Sequence, residues 1–221
     1  LQSVLSLPLQ LDSSNTQALE KAMRMYNGKA MINSVNGKQS SMSEVFPLVQ
    51  KYGGVVVCLC LDESGIPETA QGRIDIAKKI IKTAESYGID KKDLVVDALV
   101  MTISTNKDNA KETLKAVDYI RHELGVGTVL GVSNISFGLP KREAINTAFF
   151  TLALKAGLSA GIINPLSESM MNAYYSYNAL EGFDDNCTEY IESVTASANT
   201  ATAAGVTDLK MAIIKGMKED A

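Results

Sequence analysis

The sequence predicts an α/β fold built from consecutive strand–helix units, and three observations support this prediction. Short apolar segments alternate with amphipathic helical segments six times along the chain. The apolar segments are apolar throughout rather than at every second position, as expected for parallel strands that helices cover. Successive strand ends lie roughly 20 to 37 residues apart, which is the length of one strand–helix unit. This succession is typical of a TIM (β/α)8 barrel.

The first two units begin close to the N-terminus. Leu9–Asp12 is a predicted strand, and the Ser-Ser-Asn that follows it supplies turn and N-cap residues for a helix over Gln17–Met25. Lys29–Gly37 contains the next predicted strand and its polar end, and Met42–Tyr52 is the next predicted helix. Each of these strands therefore ends in polar residues.

Two central units follow. Val55–Leu61 is a predicted strand, and Arg73–Tyr87 is a predicted helix. Apolar residues recur at helical spacing in that helix, at Ile74, Ala77, Ile80, Ile81 and Ala84. Leu94–Met101 is a predicted strand with an acidic residue, Asp97, in its middle, and Asn109–Leu124 is the helix after it.

The last two units contain the most polar connection. A strand over Thr128–Leu130 ends abruptly in the Ser, Asn, Gly and Pro residues of Gly131–Pro140, and a helix over Glu143–Ala156 follows at once. Ser159–Asn164 is the last predicted strand. In an α/β barrel, the connection from a strand to the next helix lies at the mouth where substrates bind.

Six strands are fewer than a closed barrel of this type needs. We therefore expect that this chain lacks the first two strand–helix units of the barrel. An open six-stranded α/β sheet is the alternative. The barrel is favoured because no glycine-rich phosphate-binding motif follows any of the strands.

The C-terminal part of the chain departs from this pattern. Three tyrosines, at positions 174, 175 and 177, precede a predicted loop over 178–186 and a helix over 189–196. We place the barrel domain at residues 1–195. Residues 196–207 are rich in Ala, Thr, Ser and Asn and are a predicted linker. Residues 208–221 are amphipathic and are predicted to form the first helix of a following domain.

The composition excludes several classes of function. The formal net charge is −4 with no Lys- or Arg-rich block, so a nucleic-acid partner is not expected. No apolar run is long enough to span a bilayer. Three cysteines without a framework favour a reducing compartment, and we expect a cytoplasmic protein. Cys58 and Cys60 are expected to be buried free thiols, His122 a surface residue, and no metal site is expected.

Polar residues at four strand ends are the candidate site: Asp12, Asn33, Asp97 and Asn134. Burying an acid such as Asp97 in an apolar strand is costly unless another group pairs with it. Two carboxylates and two amides, without a metal-binding histidine or a cationic cluster, suit a neutral heterocycle that is rich in N–H donors. Such a site would be a poor phosphate site.

Five motifs occur in an order that resembles a known family. They are Leu11–Asn15, Ala30–Asn36, Gly65–Pro67, Val96–Leu99 and Leu130–Pro140. Together they resemble the pterin-binding domain of the methyltetrahydrofolate-dependent, corrinoid-linked methyltransferases. This group includes cobalamin-dependent methionine synthase, to which the last motif is most similar. The resemblance covers roughly residues 5 to 175 and implies a TIM barrel of the pterin-binding type. Residues 208–221 resemble the start of the helical cap that precedes a cobalamin-binding domain, so the resemblance implies a following cobalamin module.

The resemblance also implies the roles of residues and the partners. The pterin ring would be held by Asp12, Asn33, Asp97, Gly131, Ser133, Asn134 and Arg142. Asn134 and Asp97 are the expected catalytic residues, with Asn134 at N5, where the methyl group is attached. The substrate would be methyltetrahydrofolate, and the acceptor a Co(I) corrinoid, or cobalamin, carried by another domain or protein. A homodimer is a further expectation.

Three other functions stay open. A dihydropteroate synthase binds a pterin too, but it should place Lys and Arg at late strand ends, where this chain has Asp, Asn and Ser. A non-catalytic folate-binding fragment would bind without turnover. An unrelated sugar or aldehyde TIM barrel would need a strand-end lysine, paired catalytic acids or a phosphate loop.

Overall fold

The computed structural model describes residues 2–4 and 7–202, with side chains through residue 195. The chain divides into two compact units, of which the first is Leu1–Asn164 and the second begins at Pro165. The first unit contains the whole sheet, and it therefore contains every predicted site residue.

Six parallel strands form one sheet in which each strand pairs with the next along the chain. They are β1 (Gln10–Asp12), β2 (Met31–Asn36), β3 (Val55–Leu59), β4 (Leu94–Asp97), β5 (Gly127–Gly131) and β6 (Ala160–Ile162). All six predicted strands are therefore present. The sheet curls into a half-barrel, and all of its strands end at the same edge, which is where barrels of this kind bind ligands.

A helix follows each strand. In the first unit the helices are α1 (Thr16–Met25), α2 (Gln39–Tyr52), α3 (Ala70–Ser86), α4 (Asn109–His122) and α5 (Arg142–Lys155). In the second unit they are α6 (Glu168–Leu180) and α7 (Thr188–Thr202). Short 3-10 helices lie at Lys91–Asp93, Val132–Ser136 and Asp185–Cys187. None of the helices within the described residues is long and apolar enough to span a membrane.

The strands are buried in the core of the first unit, as continuous apolar segments predict. Ile32, Val56, Val96 and Leu130 have no accessible surface. The apolar stripe of α3 is buried as well, from Ile74 to Ala84. Full burial of one such aliphatic side chain contributes about 1.5–3 kcal/mol, so this layer between sheet and helices holds the strand ends in place.

Two elements differ from the sequence prediction. β4 ends at Asp97 rather than at residue 101, because Leu99 adopts a left-handed backbone with φ of 63° and turns the chain out of the strand. The tyrosines at 174, 175 and 177 lie inside α6, which continues through Leu180 into the predicted loop. Apolar residues recur only weakly at helical spacing in that segment, so the sequence does not predict this helix.

The predicted helix over 189–196 corresponds to α7. This helix continues through residue 202 and thus includes residues 196–202 of the predicted linker. Its first turn is capped by the Asp184 carboxylate, which accepts hydrogen bonds from the backbone N–H groups of Glu189 and Tyr190 at 3.0 Å each. The remainder of the predicted linker and the predicted cap over 208–221 lie outside the described residues.

Candidate functional site

Asp12 and Asn33 meet at the carboxyl edge of the sheet. They are register partners on β1 and β2, and the Asn33 side-chain Nδ2 donates a hydrogen bond to Asp12 Oδ2 at 3.1 Å. Beyond Asn33 the register of β2 against β3 shifts before Val35, and the peptide bond from Asn33 to Ser34 is cis. Within the described residues Asp12 Oδ1 accepts no hydrogen bond, so one carboxylate oxygen is open to a ligand.

A cavity of about 370 Å³ lies beside this pair. Its lining is rich in hydroxyl groups and includes Ser13, Ser14, Thr16, Ser34, Ser40 and Ser41. The volume is in the range of sites that hold small organic ligands. Asp12 and Asn33 line this cavity, whereas Asp97, Asn134 and Arg142 do not.

Asp97 is the last residue of β4 and is 8% exposed. Its Oδ1 accepts a hydrogen bond from the backbone N–H of Leu99 at 2.8 Å. Burial raises the pKa of the Asp97 carboxyl to about 6, although the Leu99 hydrogen bond and the charge of Arg73 oppose this shift. Oδ2 makes no hydrogen bond within the described residues. Asp97 is therefore a carboxyl group that changes protonation close to neutral pH and has one oxygen available.

Arg73 is a cation whose charge acts on Asp97, although the two residues are far apart in the sequence. It lies on α3 and its side chain is fully buried. The guanidinium donates from Nε to the Pro67 carbonyl at 2.9 Å and from Nη1 to the Leu99 carbonyl at 3.0 Å. The sequence indicates that Arg73 is buried, because position 73 lies on the same helical face as the apolar residues 77, 80, 81 and 84. A charge on a buried face predicts a specific polar partner.

Asn134 lies in the 3-10 turn Val132–Ser136 that follows β5 directly. Its side chain passes over Gly131, because a Cβ built on Gly131 would lie 3.2 Å from Asn134 Nδ2. Gly131 has ordinary negative φ, so this close approach rather than the backbone conformation accounts for the glycine. Asn134 is exposed, and its amide is therefore available to a ligand at the mouth.

Arg142 holds this turn from the first residue of α5. Its Nη2 donates to the Ser133 carbonyl at 2.7 Å, and its Nε donates to the Ser136 hydroxyl at 3.0 Å. The guanidinium also lies 5.9 Å from the centre of the Phe137 ring. Ser133 contributes its backbone carbonyl to this contact, and Arg142 is linked to Asn134 through the turn.

The connections after β4 and β5 are joined to each other. The hydroxyls of Thr102 and Ser104 both donate to the Phe137 carbonyl, at 2.7 and 3.0 Å. The backbone N–H of Ile103 donates to the Ile135 carbonyl at 3.0 Å. These hydrogen bonds connect the segment that follows Asp97 to the turn that contains Asn134. The sequence did not identify them, because their partners are more than 30 residues apart.

The predicted site residues therefore fall into three groups at one edge of the sheet. Asp12 contacts Asn33, Asp97 is anchored by Leu99, and the turn after β5 contains Gly131, Ser133 and Asn134 with Arg142 beneath it. Within the described part of the chain, no hydrogen bond joins one group directly to another. Such an open arrangement of carboxylate and amide groups can accept N–H groups and donate to ring acceptors of a flat ligand.

Cys58, Cys60 and His122 contribute no nucleophile to this edge. Cys58 and Cys60 are buried free thiols, as predicted. Burial raises the pKa of Cys58 to about 12 and raises that of Cys60 as well, so both are neutral thiols at physiological pH. His122 is exposed on α4 and its Nδ1 lies 3.0 Å from Asp118 Oδ1. Among the described residues, no three His, Cys, Asp or Glu side chains are grouped to hold a metal ion.

A family model described as pterin binding enzyme matches residues 1–164, which is the whole of the first unit. A methylcorrinoid:tetrahydrofolate methyltransferase of Eubacterium limosum is 28% identical over 195 residues, which are 86% of this chain and 71% of that protein. The methionine synthases of Mycobacterium tuberculosis and Mycobacterium leprae are 34% and 33% identical. The chain spans only 15% of the length of each methionine synthase.

Solved structures support the fold. A dihydropteroate synthase from Clostridium difficile, determined in the presence of pteroic acid, matches with a TM-score of 0.61 at 18% identity, over 81% of this chain and 69% of that one. The Yersinia pestis dihydropteroate synthase, determined with a sulfonamide drug, matches with a TM-score of 0.64 at 15% identity over 82% and 69%. At these identities the similarity establishes the α/β barrel fold alone.

Proposed function

Because the chain belongs to the pterin binding enzyme family, we propose that it binds methyltetrahydrofolate and transfers the N5 methyl group to a Co(I) corrinoid. The observation that carries this proposal is the set of open acceptors at the carboxyl edge of the sheet. Asp12 and Asp97 each have one carboxylate oxygen anchored and the other without a hydrogen bond in the described residues. A donor-rich ring edge satisfies such acceptors.

The amino-pyrimidine edge of a pterin supplies those donors. A carboxylate accepts two neighbouring N–H groups of that edge, whereas an amide such as Asn33 both donates and accepts. Asn33 donates a hydrogen bond from Nδ2 to Asp12, and its side-chain Oδ1 stays available to accept one from the ligand. Because these side chains are positioned before the ligand arrives, they orient the ring with little loss of entropy.

Asn134 has the proposed role at N5. A tertiary amine is a very poor leaving group, so N5 must be protonated before the methyl group leaves. When the carbon–nitrogen bond breaks, its electron pair stays on N5 and the product carries an N5–H. The Asn134 side-chain carbonyl can accept a hydrogen bond from that N–H and so stabilise the cationic form in the transition state.

The proton has two candidate sources. One is solvent reached through hydrogen bonds. The other is Asp97, since a carboxyl group with a pKa of about 6 holds its proton close to the pH at which enzymes operate. No residue of this chain needs to act as a nucleophile, because the corrinoid supplies the nucleophile when it is bound. This scheme accounts for the absence of a catalytic histidine or thiol from the described edge.

The corrinoid would arrive on another domain or on a separate protein. The relatives include one protein named for transfer between a methylcorrinoid and tetrahydrofolate, and two methionine synthases of which this chain spans a small part. Transfer in either direction passes through the same transition state. The same residues would therefore serve whichever direction the partner favours.

Two other functions are outcomes of the same test. Dihydropteroate synthase chemistry is disfavoured because Arg142, the cation beside the turn after β5, is occupied by Ser133 and Ser136. A chain that binds methyltetrahydrofolate without transfer to any corrinoid would be a folate-binding module.

The test is titration calorimetry of the chain with methyltetrahydrofolate, followed by transfer to free Co(I) cobalamin monitored by absorbance. Asn33→Ala and Asp97→Ala should each weaken binding at least tenfold, or about 1.4 kcal/mol. Asn27→Ala is the matched control, because Asn27 precedes β2 at the opposite edge of the sheet and is exposed. Binding that is absent, or that neither variant weakens, would contradict the proposal. Formation of dihydropteroate and pyrophosphate from a dihydropterin pyrophosphate and p-aminobenzoate would support the synthase instead.

A further inference from the structure

Arg73 is a buried cation without an ion-pair partner. Its side chain has no accessible surface, and in the described part of the chain no carboxylate oxygen lies within 4 Å of it. Nε and Nη1 are hydrogen-bonded, but Nη2 has no partner among the described residues. Burying a guanidinium without a carboxylate partner is costly, so the hydrogen bonds from Nε and Nη1 must offset that cost.

The hydrogen bonds of Arg73 join three segments. Nε donates to the Pro67 carbonyl in the connection between β3 and α3. Nη1 donates to the Leu99 carbonyl just beyond β4 and to the Thr113 hydroxyl on α4 at 2.7 Å. The Thr113 hydroxyl itself lies within donating distance, 2.9 Å, of the Asn109 carbonyl. The guanidinium thus ties the chain on either side of β4 to two helices.

Leu99 is the residue that this tie holds in an unusual conformation. A φ of 63° lies in the left-handed region, which costs a branched residue about 1–2 kcal/mol. The carbonyl of Leu99 accepts from Arg73, and its N–H donates to Asp97 Oδ1 at 2.8 Å. One residue therefore transmits the position of Arg73 to the carboxylate of Asp97.

We propose that Arg73 is a positioning residue for Asp97, acting through Leu99 to leave Asp97 Oδ2 free for the ligand. The carboxylate keeps one orientation only while the Leu99 N–H points at Oδ1, and Arg73 holds Leu99 in the backbone conformation that allows this. The inference rests on the proposed function in so far as Asp97 contacts the pterin. The hydrogen-bond chain itself does not depend on it.

The charged and titratable groups around this chain are few within the described residues. Cys60, just after β3, and Arg73 interact electrostatically with Asp97, and Glu112 of α4 interacts with Arg73. Burial and the Asp97 charge raise the pKa of Cys60, so its thiol stays neutral across the range in which Asp97 titrates. A change in the titration of Asp97 therefore reports on Arg73 and Leu99.

The test combines ligand affinity with the carboxyl titration of Asp97 in the ligand-free chain. Carbon-13 NMR of labelled aspartates follows the titration, and Asp97→Asn assigns the signal. Arg73→Met should raise the titration midpoint of Asp97 and weaken methyltetrahydrofolate binding at least tenfold. Arg73→Lys should keep the titration midpoint of Asp97 closer to the wild-type value, since it retains the positive charge. It should still bind methyltetrahydrofolate weakly, because one ammonium group cannot replace the planar guanidinium that donates to three acceptors.

Circular dichroism shows whether Arg73→Met folds. If it does not fold, Thr113→Val serves as the second variant. It removes one acceptor from the guanidinium while preserving shape, and we expect the midpoint to rise and binding to weaken about three- to tenfold, which is the loss of one hydrogen bond. Thr83→Val is the matched control, because Thr83 makes the same hydrogen bond to the preceding turn on the outer part of α3.

The outcomes separate the two proposals. An unchanged Asp97 midpoint in folded Arg73→Met, or Thr113→Val indistinguishable from Thr83→Val in both measurements, would overturn the role of Arg73. Wild-type affinity in Arg73→Lys would do so too. If the wild-type chain binds no methyltetrahydrofolate, the proposed function fails, and the titration alone then decides whether Arg73 positions Asp97.

Discussion

The Asn33 amide nitrogen lies 3.1 Å from Oδ2 of Asp12, across the first pair of strands in the sheet. The two residues are direct register partners at the carboxyl edge. Each therefore limits the rotamers of the other, and the contact leaves Oδ1 of the Asp12 side chain and Oδ1 of the Asn33 side chain without a hydrogen-bond partner in the described residues. Such a pair should bind a ligand as one unit rather than as two independent groups.

A double-mutant cycle tests this coupling. We expect Asp12→Ala and Asn33→Ala each to weaken methyltetrahydrofolate binding, and the double variant to lose about 0.5–1.5 kcal/mol less than the sum, because either change already removes the hydrogen bond. Titration calorimetry measures the four affinities. Asn27→Ala combined with Asp12→Ala is the control cycle and should be additive. Additivity in both cycles would mean that Asp12 and Asn33 do not act together.

The turn after β5 allows a second test without removing a polar group. Gly131→Ala would place a methyl carbon 3.2 Å from Asn134 Nδ2, so the amide must move by a few tenths of an ångström. We expect a several-fold lower rate of methyl transfer with little change in melting temperature, since φ of −75° suits alanine. Asn134→Ala should lower transfer further and make the added Gly131→Ala almost silent.

Gly127→Ala is the matched control for the added methyl group. Gly127 is in the same strand, at its other end, and a Cβ there would have ordinary contacts of 3.6 Å or more. Transfer by Gly131→Ala at the wild-type rate, or a loss of stability as large as the loss of transfer in Asn134→Ala, would show that Asn134 is structural.

Much of the fold was predictable because each strand is short, apolar and bounded by polar residues. Asp12 and Asn33 could be placed at adjacent strand ends for that reason, whereas the hydrogen bond between them is known only from the structure. The sequence predicts Asp97 at a strand end as well, although the predicted strand continues to residue 101 rather than ending at Asp97. The apolar residues beyond it continue the strand pattern, and the left-handed Leu99 has no signature in its side chain.

Contacts between distant segments account for what the sequence did not show. Arg73 acts on Asp97 from the next helix, and Thr102 and Ser104 meet the Phe137 carbonyl more than 30 residues away. Every residue has a backbone carbonyl, so no pattern of residue types shows which carbonyl will accept these hydrogen bonds. The role of Arg142 was expected toward the ligand, whereas its hydrogen bonds support the turn that contains Asn134.

Arg142 is therefore predicted to affect transfer more than binding. Arg142→Lys loses the two-point contact with Ser133 and Ser136, and the turn that holds Asn134 loosens. We expect kcat to fall about three- to tenfold, which corresponds to roughly 1 kcal/mol, with a smaller rise in KM. Steady-state transfer to free Co(I) cobalamin supplies both constants, and the exposed Arg121→Lys is the control. A rise in KM with unchanged kcat would instead indicate direct contact with the ligand.

Asp97→Asn is predicted to stabilise the ligand-free protein while it abolishes binding. Burial raises the pKa of Asp97 from 3.8 to about 6, so the folded state holds this proton more tightly than the unfolded state does. The wild type therefore loses stability as pH rises from about 4 to about 6, by about 3 kcal/mol in all. Asparagine carries no charge to desolvate and still accepts from Leu99 N–H.

Urea unfolding at two pH values measures this effect. We expect Asp97→Asn to exceed the wild type by about 3 kcal/mol at pH 7.5 and by only about 1 kcal/mol at pH 4.5, where the folded wild type is already protonated. Comparing the two proteins at each pH cancels the titration of the other carboxyl groups. Asp75→Asn on the exposed part of α3 keeps its hydrogen bond with Gln71 and should show no such difference. If Asp97→Asn exceeds the wild type in free energy of unfolding by the same amount at both pH values, ionisation of the buried Asp97 carboxyl does not destabilise the wild type.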